Sequence, residues 1–427
     1  MSLSRFLPFI EKCFVIFGLT FFSGAFSIGA NEATREPGLI PESIITLIRY
    51  AIWFASTVAV IAQWKRALWF LGRDPWLWLL QIVVILSGLW SVDADLTNTA
   101  MREIFQMTAF GLYMALRFDF RQQVQLIAIT FGIGGLLSTA LAVGMPSIGK
   151  HLADHPGAWK GLYDYKNTFG SMMVLGSLAF FLLPKEENKL FRWGGFGFML
   201  IMMLMSTSKT SLILSLVLVS ILAFYRKFRW KGKATVVFVD LFVLIGGCFV
   251  FLFTQNWVAL VTGLGKDPSI SGRTPIWTTS INYLLEEHPL LGYGRGAFWS
   301  LKLHYGASVG SVVAQGFVVP HGHNGFLDLT LDTGMVGLSL FLVSYAMAYI
   351  RSLKQAYASD DSENYWGIAY LTFLAMNNLT ESYLLRTGSL YWSLYITTVL
   401  SVMVGYQPRI TGPPVLLKDA ETPFSPS

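Results

Sequence analysis

The sequence predicts an all-α integral membrane protein, a polytopic helical bundle of about 12 transmembrane helices with one long extracytoplasmic loop. Only 13% of the 427 residues are charged and 54% are hydrophobic, whereas soluble domains carry about 25% charged residues. Apolar runs long enough to cross a bilayer recur along the whole chain. One long polar stretch, about 257–325, interrupts them. Residues 1–405 are therefore interpreted as a single polytopic membrane domain.

The predicted spans follow one another through mostly short connections. They are roughly 6–30, 43–62, 75–91, 103–116, 122–145, 168–183, 194–207, 210–224, 234–256, 325–350, 365–382 and 388–405. The first is interpreted as an uncleaved helix rather than a signal peptide, because so many spans follow it. The Pro-containing segment 406–427 is predicted to be a disordered cytoplasmic tail.

Lysine and arginine are unevenly distributed between the connections, which predicts the orientation of the chain. Alternate connections carry them, namely Lys65, Arg66, Arg73, Arg117, Arg121, Lys185, Lys189, Arg192, Arg226, Lys227, Arg229, Lys231, Lys233, Arg351 and Lys354. The short connections between these are mixed or acidic, with Glu32, Glu36, Glu42, Asp93 and Asp95. An excess of Lys and Arg marks the cytoplasmic side. Both termini are therefore predicted to be cytoplasmic, and the long loop extracytoplasmic.

Two further features exclude other classes of protein. The net charge of +6 does not indicate nucleic acid binding, because the basic residues lie in connections between apolar runs. Cys13 and Cys248 both lie inside apolar runs, so no disulfide framework is predicted.

The long loop contains a predicted amphipathic helix over 275–287. Thr274 is the expected N-cap and Pro275 the first helical residue. The apolar face expected to lie on the membrane consists of Trp277, Ile281, Leu284 and Leu285. His288-Pro289 ends the helix, and the glycines at 292, 294 and 296 indicate tight turns rather than a nucleotide-binding loop.

His323 is the candidate general base of the loop, because histidine titrates near neutral pH and can take a proton from a hydroxyl. A hydrogen-bonding role without catalysis is the alternative. His321, Arg273 and Arg295 in the same loop favour a functional site. Gly334 follows eleven residues after His323, so a continuous helix would place both on one face.

Asn324, Asp328 and Asp332 are spaced by four residues and form one stripe of that helix. Carboxylates near the top of a spanning helix are unfavourable unless they contact water, a partner or substrate. Asn324 and Asp328 are therefore candidate substrate ligands. The alternative is that Asp328 and Asp332 cap or cross-link neighbouring helices. Gly334 and Gly337 are interpreted as positions of close helix packing.

Further polar candidates lie outside the long loop. Lys209 occupies a polar break, 206–211, between two apolar runs, and Lys166 and Asn167 precede another span. The charge distribution places both segments on the side of the long loop. A guanidinium and an ammonium there suit a diphosphate.

Glu381 lies near the outer end of the eleventh predicted span and is a candidate site residue, with a structural pair to Arg386 as the alternative. Together these residues predict a water-accessible pocket at the outer leaflet. It suits a lipid-linked diphosphate whose tail stays in the bilayer.

The motifs resemble the bacterial O-antigen ligase and polysaccharide polymerase superfamily. They are Ser271-Gly272-Arg273 with Trp277, His288-Pro-Leu-Leu-Gly-Tyr-Gly294, and His323-Asn324 with Gly334-Met-Val-Gly337. Lys166-Asn167 and the break around Lys209 resemble the exopolysaccharide-polymerase branch. The resemblance covers roughly 160–385.

The resemblance implies an enzyme of the bacterial inner membrane. It would transfer a glycan from an undecaprenyl-diphosphate donor to an acceptor hydroxyl, without a metal, cofactor or nucleotide sugar. His323 would activate the acceptor and Arg273 would bind the leaving diphosphate, while Lys209 stands where the family usually has arginine. Other polysaccharide assembly proteins are possible partners.

Three alternatives to a polymerase remain open. A ligase would transfer finished glycan to lipid A-core or a protein, but Lys209 cannot make a bidentate contact, which favours the polymerase. A lipid-linked oligosaccharide flippase would suit many spans, although no repeat between halves is present in the sequence. A purely structural membrane protein would leave the His, Arg and Lys cluster unexplained.

Overall fold

The computed structural model describes residues 3–30, 37–152, 155–227, 240–241, 243–252, 273–358, 360–386 and 389–404. The predicted tail 406–427, the loop segment 257–272 with Ser271 and Gly272, Glu32, Glu36 and the basic residues of 229–233 lie outside the described residues.

Within these ranges the chain is overwhelmingly helical. The helices are α1 (Leu3–Phe22), α2 (Glu42–Ile61), α3 (Trp64–Leu71), α4 (Pro75–Leu86), α5 (Ala94–Arg117), α6 (Phe120–Gly144), α7 (Pro146–Gly149), α8 (Lys166–Leu182), α9 (Lys189–Ser206), α10 (Lys209–Lys227), α11 (Val243–Leu252), α12 (Arg273–Glu287), α13 (Tyr305–Ser311), α14 (Gly325–Ala358), α15 (Trp366–Asn378) and α16 (Leu390–Val404). Short 3₁₀ turns follow α4 and precede α15. The predicted all-α class is confirmed for this part of the chain.

Three helices, α2, α6 and α14, are long and apolar enough to cross a membrane. A fourth candidate is the pair formed by α3 with α4 and its 3₁₀ turn, bent by 93° at the break. On α2, Leu47 and Phe54 are each 69% exposed, as expected of side chains that face lipid. The helices therefore indicate a membrane protein, while the number of 12 spans stays a prediction.

Polar contacts at the two ends of α4 define its direction relative to α14. At one end, Arg351 near the close of α14 lies 3.8 Å from the Asp74 carboxylate at the start of α4. At the other end, the Trp90 indole, just after α4, donates to the Leu291 carbonyl (3.0 Å). The two helices are therefore antiparallel. Which end faces the cytoplasm stays a prediction.

Helix α14 is broken at Gly334, whose φ of 66° and ψ of −170° are not helical. The break leaves backbone groups that the segment 289–294 satisfies. The bonds run from Tyr293 N to Leu331 O (2.8 Å), Gly294 N to Asp332 O (3.1 Å), Met335 N to Pro289 O (2.9 Å) and Val336 N to Leu290 O (3.2 Å). An unsatisfied backbone group in a bilayer costs several kcal/mol. The His-Pro-Leu-Leu-Gly-Tyr-Gly motif thus completes the broken helix.

This break corrects the prediction for Gly334, whereas close helix packing at Gly337 stays a prediction. A Cβ at Gly334 would lie 2.1 Å from the Leu290 carbonyl oxygen, so the close neighbour is the loop backbone rather than another helix. At Gly337 the nearest atom is the hydroxyl of Thr333, from the same helix. The expected continuous helix joining the His323 and Gly334 faces is wrong, because the non-helical residue changes the direction of the chain.

Helix α12 is confirmed, but it begins at Arg273, so Thr274 and Pro275 lie within it. Its buried residues are Ile276, Ser280 and Leu284, whereas Ile281 and Leu285 are 41% and 53% exposed. The predicted apolar face is therefore divided, because Leu284 packs into a cluster formed by the loop itself.

That cluster is a second hydrophobic core, formed mainly by residues of the long loop, and it contains Tyr293, Phe298 and Tyr305. The hydroxyls of Tyr293 and Tyr305 both donate to Glu287, at 3.2 and 2.7 Å. Burial, and next the hydrogen bond to Glu287, raises the pKa of Tyr305 to about 12. The apolar packing and these bonds connect α12 to the part of the loop that follows it.

Candidate active site where four segments meet

Four chain segments converge at the start of α14. They are the first turns of α8 and α12, the turn 320–325, and the turn 378–383 that follows α15. Asn324 N donates to the Ser382 hydroxyl (3.1 Å), and Gly325 N donates to the Glu381 carbonyl (3.0 Å). A Cβ at Gly325 would lie 2.1 Å from Asn378 Oδ1, so only glycine allows this approach.

Glu381 links two of the predicted site residues. Its carboxylate accepts from Asn167 Nδ2 (3.3 Å) and lies 3.8 Å from Arg273 Nη2. Glu381 is only 9% exposed, whereas the Arg273 side chain is 23% exposed. The carboxylate therefore positions a guanidinium that remains accessible from the cavity.

His323 has a φ of 50°, in the left-handed region that histidine enters more readily than most residues. Its backbone N–H donates to His321 Nδ1 (3.2 Å), and the ring centroids lie 4.2 Å apart. Because Nδ1 of His321 accepts this bond, its neutral ring carries the proton on Nε2. The two histidines form one unit with a defined backbone geometry.

A cavity of about 630 Å³ opens among these segments; we call it the main cavity. Five predicted site residues line it: Asn167, Arg273, His321, His323 and Glu381. Tyr165, Phe317 and Tyr383 add aromatic walls. The cavity thus combines a guanidinium, a carboxylate and two imidazoles, which suits the binding of a phosphate-linked sugar and the transfer of a proton.

A side cavity of about 250 Å³ adjoins the main cavity, and both are lined by Pro320 and His321. Arg295 and Asp328, two other predicted site residues, line the side cavity. Arg295 is 8% exposed and donates to Asp332 Oδ2 (2.9 Å) and to the Leu385 carbonyl. Part of its hydrogen-bonding capacity is therefore used within the protein.

The predicted stripe of Asn324, Asp328 and Asp332 is tied to loops rather than to neighbouring helices. Asn324 Oδ1 accepts from the N–H groups of Phe326 and Leu327 and so caps α14. Asp328 Oδ1 accepts from the Trp299 indole and from Gly322 N, and Asp332 Oδ1 accepts from Gly296 N. Among the described residues, these bonds of Asp328 and Asp332 run to loop segments and not to neighbouring helices, and Asp328 also lines the side cavity.

Lys209 and Lys166 lie outside the lining of both cavities. Lys209 is exposed at the start of α10, after Thr207 ends α9 with a φ of 54°. The break packs against α8 at Gly170, where a Cβ would lie 2.5 Å from the Ser211 hydroxyl. The polar break is therefore about one turn along α8 from Asn167.

Several lining residues were not singled out in the sequence. Tyr165 directly precedes Lys166, and Tyr383 lies two residues after Glu381. Trp299 follows the glycine-rich turn. An aromatic residue close in sequence to a polar candidate, as at Lys166 and Glu381, was the available signal. Aromatic residues are so frequent here, at 15% of the chain, that this signal alone selects too many positions.

Residues 194–342 match the family model described as O-antigen ligase. The chain carries an O-antigen ligase domain. This domain runs from α9 into α14 and includes Lys209, Arg273 and His323. Asn167 and Glu381, which complete the main cavity, come from outside the matched residues.

Two curated relatives agree with the O-antigen ligase domain. Over 353 residues the chain is 23% identical to the exopolysaccharide production protein ExoQ of Rhizobium meliloti (strain 1021), covering 77% of this chain and 76% of that protein. It is 31% identical over 112 residues to the putative polysaccharide ligase RC0486 of Rickettsia conorii, covering 26% of each. The resemblance inferred from the motifs is confirmed, and it indicates a membrane enzyme of polysaccharide assembly.

Proposed function

We propose that the protein is a membrane glycosyltransferase of cell-surface polysaccharide biosynthesis. It transfers a glycan from an undecaprenyl-diphosphate donor to an acceptor hydroxyl on the extracytoplasmic face of the bacterial inner membrane. The observation that carries this proposal is the main cavity, where His323 and Arg273 of the O-antigen ligase domain line one space with Glu381. This pairs a candidate base with a candidate diphosphate ligand.

In the proposed reaction, the acceptor oxygen attacks the anomeric carbon of the donor glycan. The bond from that carbon to the diphosphate oxygen breaks, and its electron pair leaves with undecaprenyl diphosphate. The acceptor proton passes to the imidazole of His323. The products are the extended glycan, the lipid diphosphate and protonated His323, which then releases its proton to water, so atoms and charge balance.

Arg273 stabilises the charge that develops on the departing diphosphate. Its guanidinium has five N–H donors, and the ion pair with Glu381 at 3.8 Å is longer than a hydrogen bond. Donors therefore remain for the diphosphate, while Glu381 and Asn167 set the position of the side chain. Lys209 and Lys166 contribute positive charge near the cavity rather than direct contacts. The proposal requires neither a metal ion nor a nucleotide sugar.

We favour a polymerase, in which the acceptor is a second lipid-linked repeat unit. The alignment with the exopolysaccharide production protein covers about three quarters of both chains and supports this choice. The description of the domain and the shorter match to a polysaccharide ligase support ligation as the second candidate. In that case the acceptor would be lipid A-core or another molecule.

The glycan profile of cells lacking the chain tests the proposal. We expect single repeat units on the lipid carrier and no long polymer, with polymer restored by the wild-type chain. Full-length polymer retained on the lipid carrier would indicate a ligase instead. Repeat units trapped on the cytoplasmic side would indicate a flippase and contradict the proposal.

Arg273→Ala should lower kcat/KM for the donor by about 10²–10³, as the loss of one transition-state hydrogen-bond donor does. Arg273→Lys should lose less, because it retains the charge but not the guanidinium fork. Both are measured by transfer with purified protein and lipid-linked repeat units.

Lys302→Ala is the control. It removes a cation with a 68% exposed side chain at the same end of the bundle, and it should change the transfer rate little. Equal losses in the two Arg273 variants would show that charge neutralisation is not the role of Arg273.

A further inference from the structure

The side cavity differs in chemistry from the main cavity. Its lining includes Arg295, Trp299, Asp328 and Asp332, together with His321. The two carboxylates balance the two guanidinium groups that line the cavity, those of Arg295 and Arg386, so the site has no excess positive charge that would favour a diphosphate. A neutral molecule with many hydroxyl groups fits such a mixture of acceptors, donors and an aromatic surface.

Asp328 provides a hydrogen-bond acceptor. Within the described part of the chain, the bonds from Trp299 Nε1 and Gly322 N, both 2.9 Å, end on Oδ1. The acceptor capacity of Oδ2 is thus left for a ligand. The carboxylate is also held in place, since two separate segments bind its other oxygen.

Arg295 provides a buried hydrogen-bond donor. Its Nη1 binds Asp332 and its Nη2 binds the Leu385 carbonyl, but its Nε is buried and has no partner among the described residues. A buried donor without an acceptor is unfavourable. Arg295 thus gives the side cavity a fixed, positively charged polar wall, and Asp328 Oδ2 is the acceptor for a ligand hydroxyl.

Trp299 provides an apolar surface, and its indole is oriented by the bond to Asp328. The C–H face of a sugar ring packs on such an aromatic side chain, while its hydroxyls bind polar groups around it. A volume of about 250 Å³ is small for a site that holds an oligosaccharide. It is suited to one sugar residue.

We propose that the side cavity is the subsite for a terminal sugar of the acceptor glycan, with Asp328 and Trp299 as its specificity-determining residues. This inference rests on the proposed function. Pro320 and His321 line both cavities. A sugar in the side cavity would therefore lie next to a donor in the main cavity, separated from it by the turn that leads to His323. The acceptor hydroxyl is thereby held close to the candidate base, His323, which lines the main cavity.

The probe is the repeat-unit oligosaccharide released from its lipid carrier by mild acid. It lacks a diphosphate leaving group and can serve only as acceptor. Its binding to the purified full-length protein in nanodiscs is measured by calorimetry. Asp328→Asn preserves the oxygen that binds Trp299 and Gly322 but replaces Oδ2 by a donor, and we expect about tenfold weaker binding or more. Trp299→Leu should weaken binding as well.

Asp95→Asn is the matched control, because the Asp95 side chain is 90% exposed at the start of α5 and lines neither cavity. Unchanged binding by Asp328→Asn, or no binding by the wild-type protein, would overturn the subsite. In transfer assays, Asp328→Asn should raise KM for the oligosaccharide and leave KM for the lipid-linked donor unchanged. Transfer with an unaltered acceptor KM would remove the subsite but keep the glycosyltransferase. Specific binding without any transfer would keep the subsite and remove the glycosyltransferase.

Discussion

Replacing His323 by asparagine should lower the rate of glycan transfer by about 10²–10⁴, the usual contribution of a general base. Asparagine tolerates the left-handed backbone that His323 adopts at a φ of 50°, so the turn before α14 should be retained. The amide cannot take the proton of the acceptor hydroxyl. The measurement is transfer by purified protein at saturating donor and acceptor, so that a change in kcat is separated from a change in binding.

His304→Asn is the control for this experiment. His304 is an exposed histidine of the same loop and lines neither cavity. It should transfer glycan at the wild-type rate. A rate near wild type for His323→Asn would remove His323 from the role of base, and His321 would then be the next candidate, because it lines the same cavity.

Gly334→Ala should destabilise the protein by about 3 kcal/mol or more. Its φ of 66° is strained for a residue with a side chain. The added Cβ would lie 2.1 Å from the carbonyl oxygen and 2.2 Å from the carbonyl carbon of Leu290, and backbone cannot move aside as a side chain can. Separation of 289–294 from the broken helix would also leave backbone groups without partners.

The expected result is a large loss of thermal stability, measured by size-exclusion chromatography of the detergent-solubilised protein after heating. Gly197→Ala is the matched control, since a Cβ at Gly197, within α9, meets no atom within 4 Å. Alanine stabilises a helix interior by about 0.5–1 kcal/mol relative to glycine, so this variant should be at least as stable as wild type. If both variants had the same stability, the close contact at Gly334 would not support the fold.

Much of the helical framework could be predicted because the apolar runs are local and long. The predicted short spans 103–116 and 210–224 lie within α5 and α10, and the span 194–207 ends one residue after α9; all three helices are longer than the predicted spans. Polar turns at the helix ends continue as helix, so hydropathy alone underestimates the length. For the same reason hydropathy did not predict α3, a helix within a stretch that was predicted to be a basic connection.

The candidate site could be predicted in part. Five of its residues meet in the main cavity, because each lies at a helix end on the side that the charge distribution indicates. Lys209 does not line the cavity, although it stands in a similar polar break. Sequence position specifies the end of the bundle on which a residue lies, but it does not specify the direction of its side chain.

The sequence by itself determined the helical membrane class, the order of the polar segments and the chemical groups available to the site. Its motifs also identified the O-antigen ligase domain. Only the tertiary structure decided that Arg295 pairs with Asp332, that Glu381 positions Arg273, and that the loop completes a broken α14. Each of these depends on groups distant in sequence satisfying one another, and hydropathy and spacing carry no information about such pairings because they describe one segment at a time.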